Sequence, residues 1–312
     1  MIIKENKALY KAFGLHFLSE IEMPELFKVS PVEERVDVTI VIEDLLDLWA
    51  AYSEPNRYFY VEPNLCIFLV PEVAIFKVNN GKCISISPIK GSHEDQIRLY
   101  LLGTCMGALL IQRKILPLHG SALAINGKAY AIIGESGAGK STLAAAFLKN
   151  GYQLLSDDIV PIRLDNKGIP YIIPAYPQQK LWRESLDSFG VDTSKFRSII
   201  KRDTKYIVPV TNQFAQEALP LEGIIELIKT DHLEIKMQPI PSLLKLRILF
   251  AHTYRNFFIN PAGLLQWHFD ITTKIAHNCV LSRLERPITR FTAEELTEVI
   301  LTTIKKEELV HD

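Results

Sequence analysis

Over the first 93 residues, apolar positions recur with a period of two in short runs broken by turn-forming residues. The runs 36–42, 58–61, 65–70, 74–78 and 83–86 are rich in Val, Ile, Phe and Tyr. Glu62-Pro63-Asn64 and Asn79-Asn80-Gly81-Lys82 separate consecutive runs. Alternation of this kind marks half-buried strands, and Asn-Gly supplies the positive φ angles that a two-residue hairpin needs. Residues 1–93 therefore read as a β-rich amino-terminal domain.

From residue 94 to 114 the period becomes helical, with Ile97, Tyr100, Leu101, Cys105, Ala108 and Leu109 on one face. This helix is expected to join the amino-terminal domain to a second domain, residues 94–312. Strands at 120–125 and 128–133 follow, turned by Asn126-Gly127, then a glycine-rich loop and a helix at 141–150 closed by Gly151. Residues 152–162 read as a strand that carries Asp157 and Asp158. Segment 167–203 is rich in proline and turn residues and reads as a surface excursion with a short helix near 181–189. Further on, 224–228 and 233–237 are expected to pair as strands, with helices at 242–250 and 264–277 and a strand at 280–284. The last helix starts at Thr292, with Glu295 placed to complete a capping box. No internal repeat is visible.

Composition narrows the class without naming a chemistry. In 312 residues, 48% are hydrophobic and 23% charged, while 15 Gly and 17 Pro fall far below fibrous or low-complexity levels. A formal charge of -1, from 35 basic and 36 acidic residues, gives no global footprint for nucleic acid or an anionic membrane, and neither is expected as a partner. The four cysteines show no metal-ligand spacing, which suits a reducing compartment. The opening MIIKENK lacks an apolar core behind its charges, and the longest apolar run, 101–111, is far short of the roughly 20 residues that span a bilayer. A soluble cytoplasmic protein is expected.

The chemistry lies in the middle of the chain. Gly134-Glu135-Ser136-Gly137-Ala138-Gly139-Lys140-Ser141, followed by Thr142, has two glycines five apart and then Lys-Ser. Such a loop turns backbone N–H groups inward around phosphates at the positive end of the next helix. Lys140 would reach the β- and γ-phosphates, and the Ser141 hydroxyl would bind Mg²⁺. Asp157 and Asp158 offer one carboxylate for the metal and one to take a proton from an attacking hydroxyl. Adjacent strand residues point to opposite faces, so a bend is required before both can serve one site. His119 precedes the hairpin that leads into the loop. No Asn-Lys-x-Asp, LSGGQ-like or His-Arg-Asp element occurs, which disfavours a GTPase switch, a transporter motor and an ordinary protein kinase.

The set His119-Gly120, the loop, Asn150-Gly151-Tyr152 and Ser156-Asp157-Asp158 resembles the catalytic core of HPr serine kinase/phosphorylase. The resemblance implies an α/β fold with a phosphate-loop kinase core of the HPr kinase and phosphoenolpyruvate carboxykinase type. It further implies that Asp157 takes the serine proton, Asp158 partners Mg²⁺ and His119 orients the base or the phosphate. Two departures stand out: Thr142 occupies the place of the family's Glu, and Ile207-Val208-Pro209-Val210 is followed by Thr211-Asn212-Gln213 rather than by a basic element. The second counts against phosphorylase activity and against HPr as the acceptor. Leu101-Leu102-Gly103, Gln112-Arg113 and Pro174-Ala175-Tyr176-Pro177 with Leu181-Trp182 are similar to the HPr-kinase-like proteins of lasso peptide biosynthesis. That likeness implies ATP or GTP as donor with Mg²⁺, and the carboxy-terminal serine of a precursor peptide as acceptor. Of Arg202, Lys205 and Arg255, each a candidate to neutralise the γ-phosphate, Lys205 is preferred. Homo-oligomerisation is left open. The alternatives are a nucleotide-binding regulatory or scaffold module with slow ATP hydrolysis, and a kinase acting on HPr.

Overall fold

The computed structural model describes residues 7–30, 35–199 and 202–311. Residues 1–6 of the charged opening segment and the Arg202 side chain lie outside the described residues.

Period-two alternation builds the first sheet. Its strands are β1 (Ala8–Ala12), β2 (Leu15–Ser19), β3 (Phe27–Val29), β4 (Val38–Ile42), β5 (Phe59–Glu62), β6 (Leu65–Val70), β7 (Ala74–Asn79) and β8 (Cys83–Pro88), and α1 (Leu46–Tyr52) lies between β4 and β5. The order across the sheet is β3-β1-β2-β4-β8-β7-β6-β5, with β2–β4 and β4–β8 parallel. Ile67 and Ile75 face α1 on one side, while Cys66, Phe68, Phe76 and Val78 enter the larger core on the other. The hairpin expected at 79–82 forms, with Asn80 and Gly81 at φ 54 and 60. Strands β1 to β3 had no counterpart in the sequence reading.

The apolar stripe at 94–112 packs onto that larger core. It comprises α2 (Glu94–Tyr100), a single π-helical turn at Leu101–Cys105 and α3 (Met106–Gln112). Ile97, Leu101, Cys105, Ala108 and Leu109 are buried there, as their spacing predicts. The extra residue in the π turn re-aims the helix wall at Gly103 and Thr104 toward the cavity described below.

The second sheet holds the glycine-rich loop 134–141. Strands β9 (Leu116–Ile125) and β10 (Lys128–Ile133) form the expected hairpin, with Asn126 and Gly127 at φ 50 and 75. After β10 come α4 (Lys140–Lys149), β11 (Gln153–Leu164) and β12 (Pro170–Ile172). The segment 167–203 is more than a surface excursion. It supplies β13 (Gln178–Trp182), α5 (Arg183–Ser188) and β14 (Arg197–Ile199), which join β15 (Arg202–Pro209) in a three-stranded sheet ordered β13-β15-β14. The expected helix at 181–189 therefore begins only at Arg183, with Leu181 and Trp182 still in the strand.

The chain closes with β16 (Leu219–Thr230), β17 (Lys236–Pro239), α6 (Ser242–Ala251), α7 (Leu265–Asn278), β18 (Val280–Pro287) and α8 (Ala293–His311). The seven-stranded order is β10-β9-β11-β12-β16-β18-β17, with a further β10–β16 pairing. The expected pairing of 224–228 with 233–237 does not occur, because β18 lies between them, parallel to β16 and antiparallel to β17. A buried run such as Ile224–Ile225 has no preference between partners, and the long connection through α6 and α7 brings β18 in first. Glu295 pairs with Arg290 rather than completing a capping box with Thr292. Helix α4 buries Leu143, Ala144, Phe147 and Leu148 against the sheet and against Leu296, Ile300 and Ile304 of α8.

Candidate active site

Strand β10 ends where its parallel neighbour β16 runs alongside, and the chain turns there into α4. Gly134 sits at φ 150, and a Cβ on it would run into the Leu227 carbonyl oxygen of β16. Gly139, at φ 107, forms the left-handed entry to α4, where a Cβ would come within 3.2 Å of Arg286 Nε. These two positions require glycine, and together they aim the α4 amino terminus into an open cavity of about 1060 Å³. Glu135, Ser136 and Gly137 form the exposed crest of the loop. Ala138 is buried beneath it, and its carbonyl accepts a 2.7 Å bond from Arg286 Nε.

Lys140 opens α4, and its Nζ donates back to the carbonyls of Gly134 (2.8 Å) and Glu135 (2.9 Å). Burial lowers its pKa to about 8, against the pull of Asp157 and Asp158. Ser141 hydrogen-bonds the Asp157 carboxylate. The Thr142 hydroxyl shares a 2.7 Å bond with Ser185, which anchors α5 beside the loop.

The bend that the Asp pair needs is a single residue within β11. Asp158 adopts φ 83, and Asp157 and Asp158 both line the cavity, as does His119. Across the ladder, Asp157 stands opposite Ser121 and Asp158 opposite Gly120. Asp157, 4% exposed, accepts bonds from Ser121 Oγ at 2.6 Å and from the Lys180 backbone N–H at 3.0 Å. Burial raises its pKa despite these donors. Asp158 behaves in the opposite sense. Burial by itself would raise it, but Lys180 Nζ at 2.7 Å and His119 Nδ1 at 3.5 Å reverse the balance, and its pKa is lowered. The pair thus presents one carboxylate that takes a proton readily and one that stays anionic.

His119 is pushed toward the neutral form, chiefly by burial, with Lys140 adding to the shift against the two aspartates. Its Nδ1 lies 3.1 Å from the Asp158 carbonyl oxygen, which can only accept. The neutral ring therefore carries its proton on Nδ1 and leaves Nε2 as an acceptor.

Lys205 lies on β15 directly opposite Trp182, and its ammonium sits 5.2 Å from that ring's centre. It lines the same cavity, and its charge lowers the pKa of both Lys140 and Asp158. The loop, the Asp pair, His119 and Lys205 are therefore gathered around one cavity, with Ala138 beneath the loop. The sequence reading missed Lys180, whose backbone N–H holds one aspartate while its ammonium holds the other. The only available signal was its place just before Leu181-Trp182, in a segment that carries no periodicity. Ser121 and Arg286 were also missed, as polar residues within otherwise ordinary strands.

The donor set suits a phosphate-bound cation rather than a protein-only metal cage. Among the described residues, no group of three or more His, Cys, Asp or Glu side chains could hold a metal ion. Ser141 and the Asp pair could instead offer oxygen ligands to a Mg²⁺ that completes its shell with phosphates and water.

Comparison with known proteins identifies the relationship. HPr kinase/phosphorylase of Nitrosomonas europaea is 27% identical over 159 residues, which are 47% of this chain and 48% of that protein. Over that stretch the chain is similar to an HPr kinase/phosphorylase. The match spans about half the length of this curated relative. The HPr(Ser) kinase/phosphatase structure from Coxiella burnetii aligns with 61% of this chain and 98% of its own, at 15% identity and a TM-score of 0.32. No family model matches the sequence. No helix among the described residues is long and apolar enough to cross a membrane.

Proposed function

We propose that this HPr kinase-like chain is a Mg²⁺-dependent serine kinase that transfers the γ-phosphate of ATP or GTP to a serine hydroxyl of a peptide, the carboxy-terminal serine of a lasso-type precursor. The observation that carries this reading is the meeting, in one cavity, of a lysine-bearing phosphate loop with two adjacent carboxylates of opposite tuning. Slow hydrolysis by a regulatory module would need neither a second tuned carboxylate nor a cavity that continues past it.

Each residue has a part in this proposal. The loop amides from Gly134 to Ser141 cradle the phosphates, with Lys140 set against the bridging and terminal oxygens. Ser141 and Asp158, whose pKa is lowered, would hold Mg²⁺, which neutralises charge on the transferring phosphoryl group when bound. Asp157 accepts the proton of the acceptor serine, for which its raised pKa suits it. Neutral His119 orients the acceptor side through Nε2, and Lys205 offsets charge on the γ-phosphate. The Ser141–Asp157 bond gives Asp157 a competing claim to the cation, so the two roles need separate tests. Asp157→Asn is expected to lower transfer by about 10²–10⁴-fold with little change in the Mg²⁺ concentration for half-maximal rate. Asp158→Asn is expected to raise that concentration. The reverse pattern would exchange the roles. We also propose that residues 1–93 form a β-rich amino-terminal domain that shares a core with the catalytic part, residues 94–312.

A second acceptor is favoured by the name of the curated relative. HPr itself is therefore tested beside a serine-ended precursor peptide, with intact mass after incubation with nucleotide and Mg²⁺ as the readout.

A further inference from the structure

The turn after α6 lines the cavity and is fixed to the start of β9. His119 N–H donates to the His252 carbonyl (2.7 Å), Tyr254 N–H donates to the Pro117 carbonyl (2.8 Å), and Leu118 bridges to Thr253. The turn is thereby held in register with His119 and the Asp pair, and it ends in Arg255. That residue adopts a left-handed backbone, φ 55 and ψ 44, which a non-glycine side chain seldom takes without a compensating role.

The Arg255 guanidinium is placed with care and used sparingly. One Nη2 donates to Thr104 Oγ1 of the π turn at 3.0 Å, and the group lies 5.7 Å from the Tyr254 ring centre and 5.9 Å from that of Phe59. Among the described residues, no carboxylate lies within ion-pair distance of it. Arg255, Thr104, Gly103 and Tyr254 all line the cavity that holds His119 and Asp158. Tyr254 also packs against the His119 ring, with centres 5.8 Å apart. A half-buried guanidinium with four free N–H donors, braced by two aromatic faces, is built to meet a planar anion bidentately.

We infer that Arg255 and Thr104 form an acceptor subsite that recognises a carboxylate near the serine to be phosphorylated. This rests on the kinase reading and deepens it, because it assigns selection of the acceptor to the π turn and the Arg255 turn rather than to the phosphate loop. The carboxylate is either the peptide's own carboxy terminus or a neighbouring acidic side chain. Arg255 is a binding residue for the acceptor and takes no part in proton transfer.

The test uses the full chain with four short serine peptides: serine-terminal as free acid and as amide, and internal-serine amides with a following Glu or Gln. Transfer kinetics and binding of the fluorescently labelled peptides are both measured, for the native chain, Arg255→Gln, Arg255→Lys and Thr104→Val. Loss of a charged hydrogen-bonding partner is expected to raise the acceptor KM and Kd about 10- to 100-fold in the native chain. Arg255→Gln is expected to remove that discrimination while leaving the nucleotide KM unchanged, and Arg255→Lys to restore only part of it. If the acid–amide pair discriminates, the source is the terminus; if the Glu–Gln pair does, it is a side chain. Equal binding of all four peptides by the native chain, or a change in nucleotide KM with Arg255→Gln, would overturn the subsite. Absence of transfer with discrimination retained in the binding assay would overturn the kinase reading and leave the subsite standing.

Discussion

Asp157 and Asp158 share a strand, a cavity and a near neighbour, yet their proton affinities move in opposite directions. The difference comes from what Lys180 offers each of them: a neutral amide to Asp157 and a full ammonium to Asp158. Lys180→Met leaves the amide in place and removes the charge. Breaking a largely buried pair from one side costs about 3–5 kcal/mol, because the remaining ion loses its compensation. The pH dependence follows from the signs. The depressed pKa of Asp158 stabilises the native chain above the ordinary carboxylate range, and this is lost only as pH falls through its lowered value. In the variant, burial dominates and raises that pKa, so the deficit is largest at neutral pH and shrinks as acid neutralises the carboxylate. Urea midpoints at pH 7 and pH 5 check this, and a deficit independent of pH would count against it.

The glycine-rich loop and the sheet over it were not equally visible in the sequence. Gly134 to Ser141 could be read directly because its geometry is local: positive φ values, a helix start and a lysine at fixed spacing. The Asn-Gly hairpins and the stripe on α2 and α3 were visible for the same reason. Strand β13 was not, since Gln178 to Trp182 has no alternation of its own and becomes a strand only by pairing with β15. The π turn was also invisible, because its surroundings are tertiary: a Cβ on Gly103 would lie 3.1 Å from the Tyr254 hydroxyl and one on Gly107 2.6 Å from its ring. Two predictions belong to the loop. Gly134→Ala pushes a methyl into the Leu227 carbonyl, so nucleotide should no longer shift the melting temperature of that variant. Lys140, with its pKa lowered to about 8, is partly neutral at pH 8–9 and should regain its proton as phosphates bind. Calorimetric titration with ATP in two buffers of different ionisation enthalpy should then show net proton uptake at pH 8.5 and little at pH 6.5. Identical heats, corrected for binding enthalpy, would contradict it.

At the scale of the molecule, the position where the sequence pattern changes, near residue 93, differs from where the packing divides. Ile97, Leu101, Cys105 and Leu109 bury their faces against the first sheet, and the mostly buried Arg98 pairs with Glu25 at 3.0 Å. A chain cut to residues 94–312 would expose that stripe and leave Arg98 without this partner. It is expected to aggregate, as size-exclusion chromatography and light scattering would show; a monodisperse, nucleotide-binding fragment would be the contrary result. The same helix carries Leu99, Tyr100, Gly103 and Thr104 into the cavity wall, so the first sheet supports the site through α2 and the π turn that pack on it. The central claim is that this cavity transfers phosphate to serine. Its most direct test is intact mass spectrometry of serine-ended precursor peptide and of HPr after incubation with the chain, Mg²⁺ and ATP, beside Asp157→Asn. The expected result is one added phosphate on a serine, lost in the variant. Nucleotide binding or hydrolysis with neither acceptor modified, or transfer undiminished in Asp157→Asn, would contradict it.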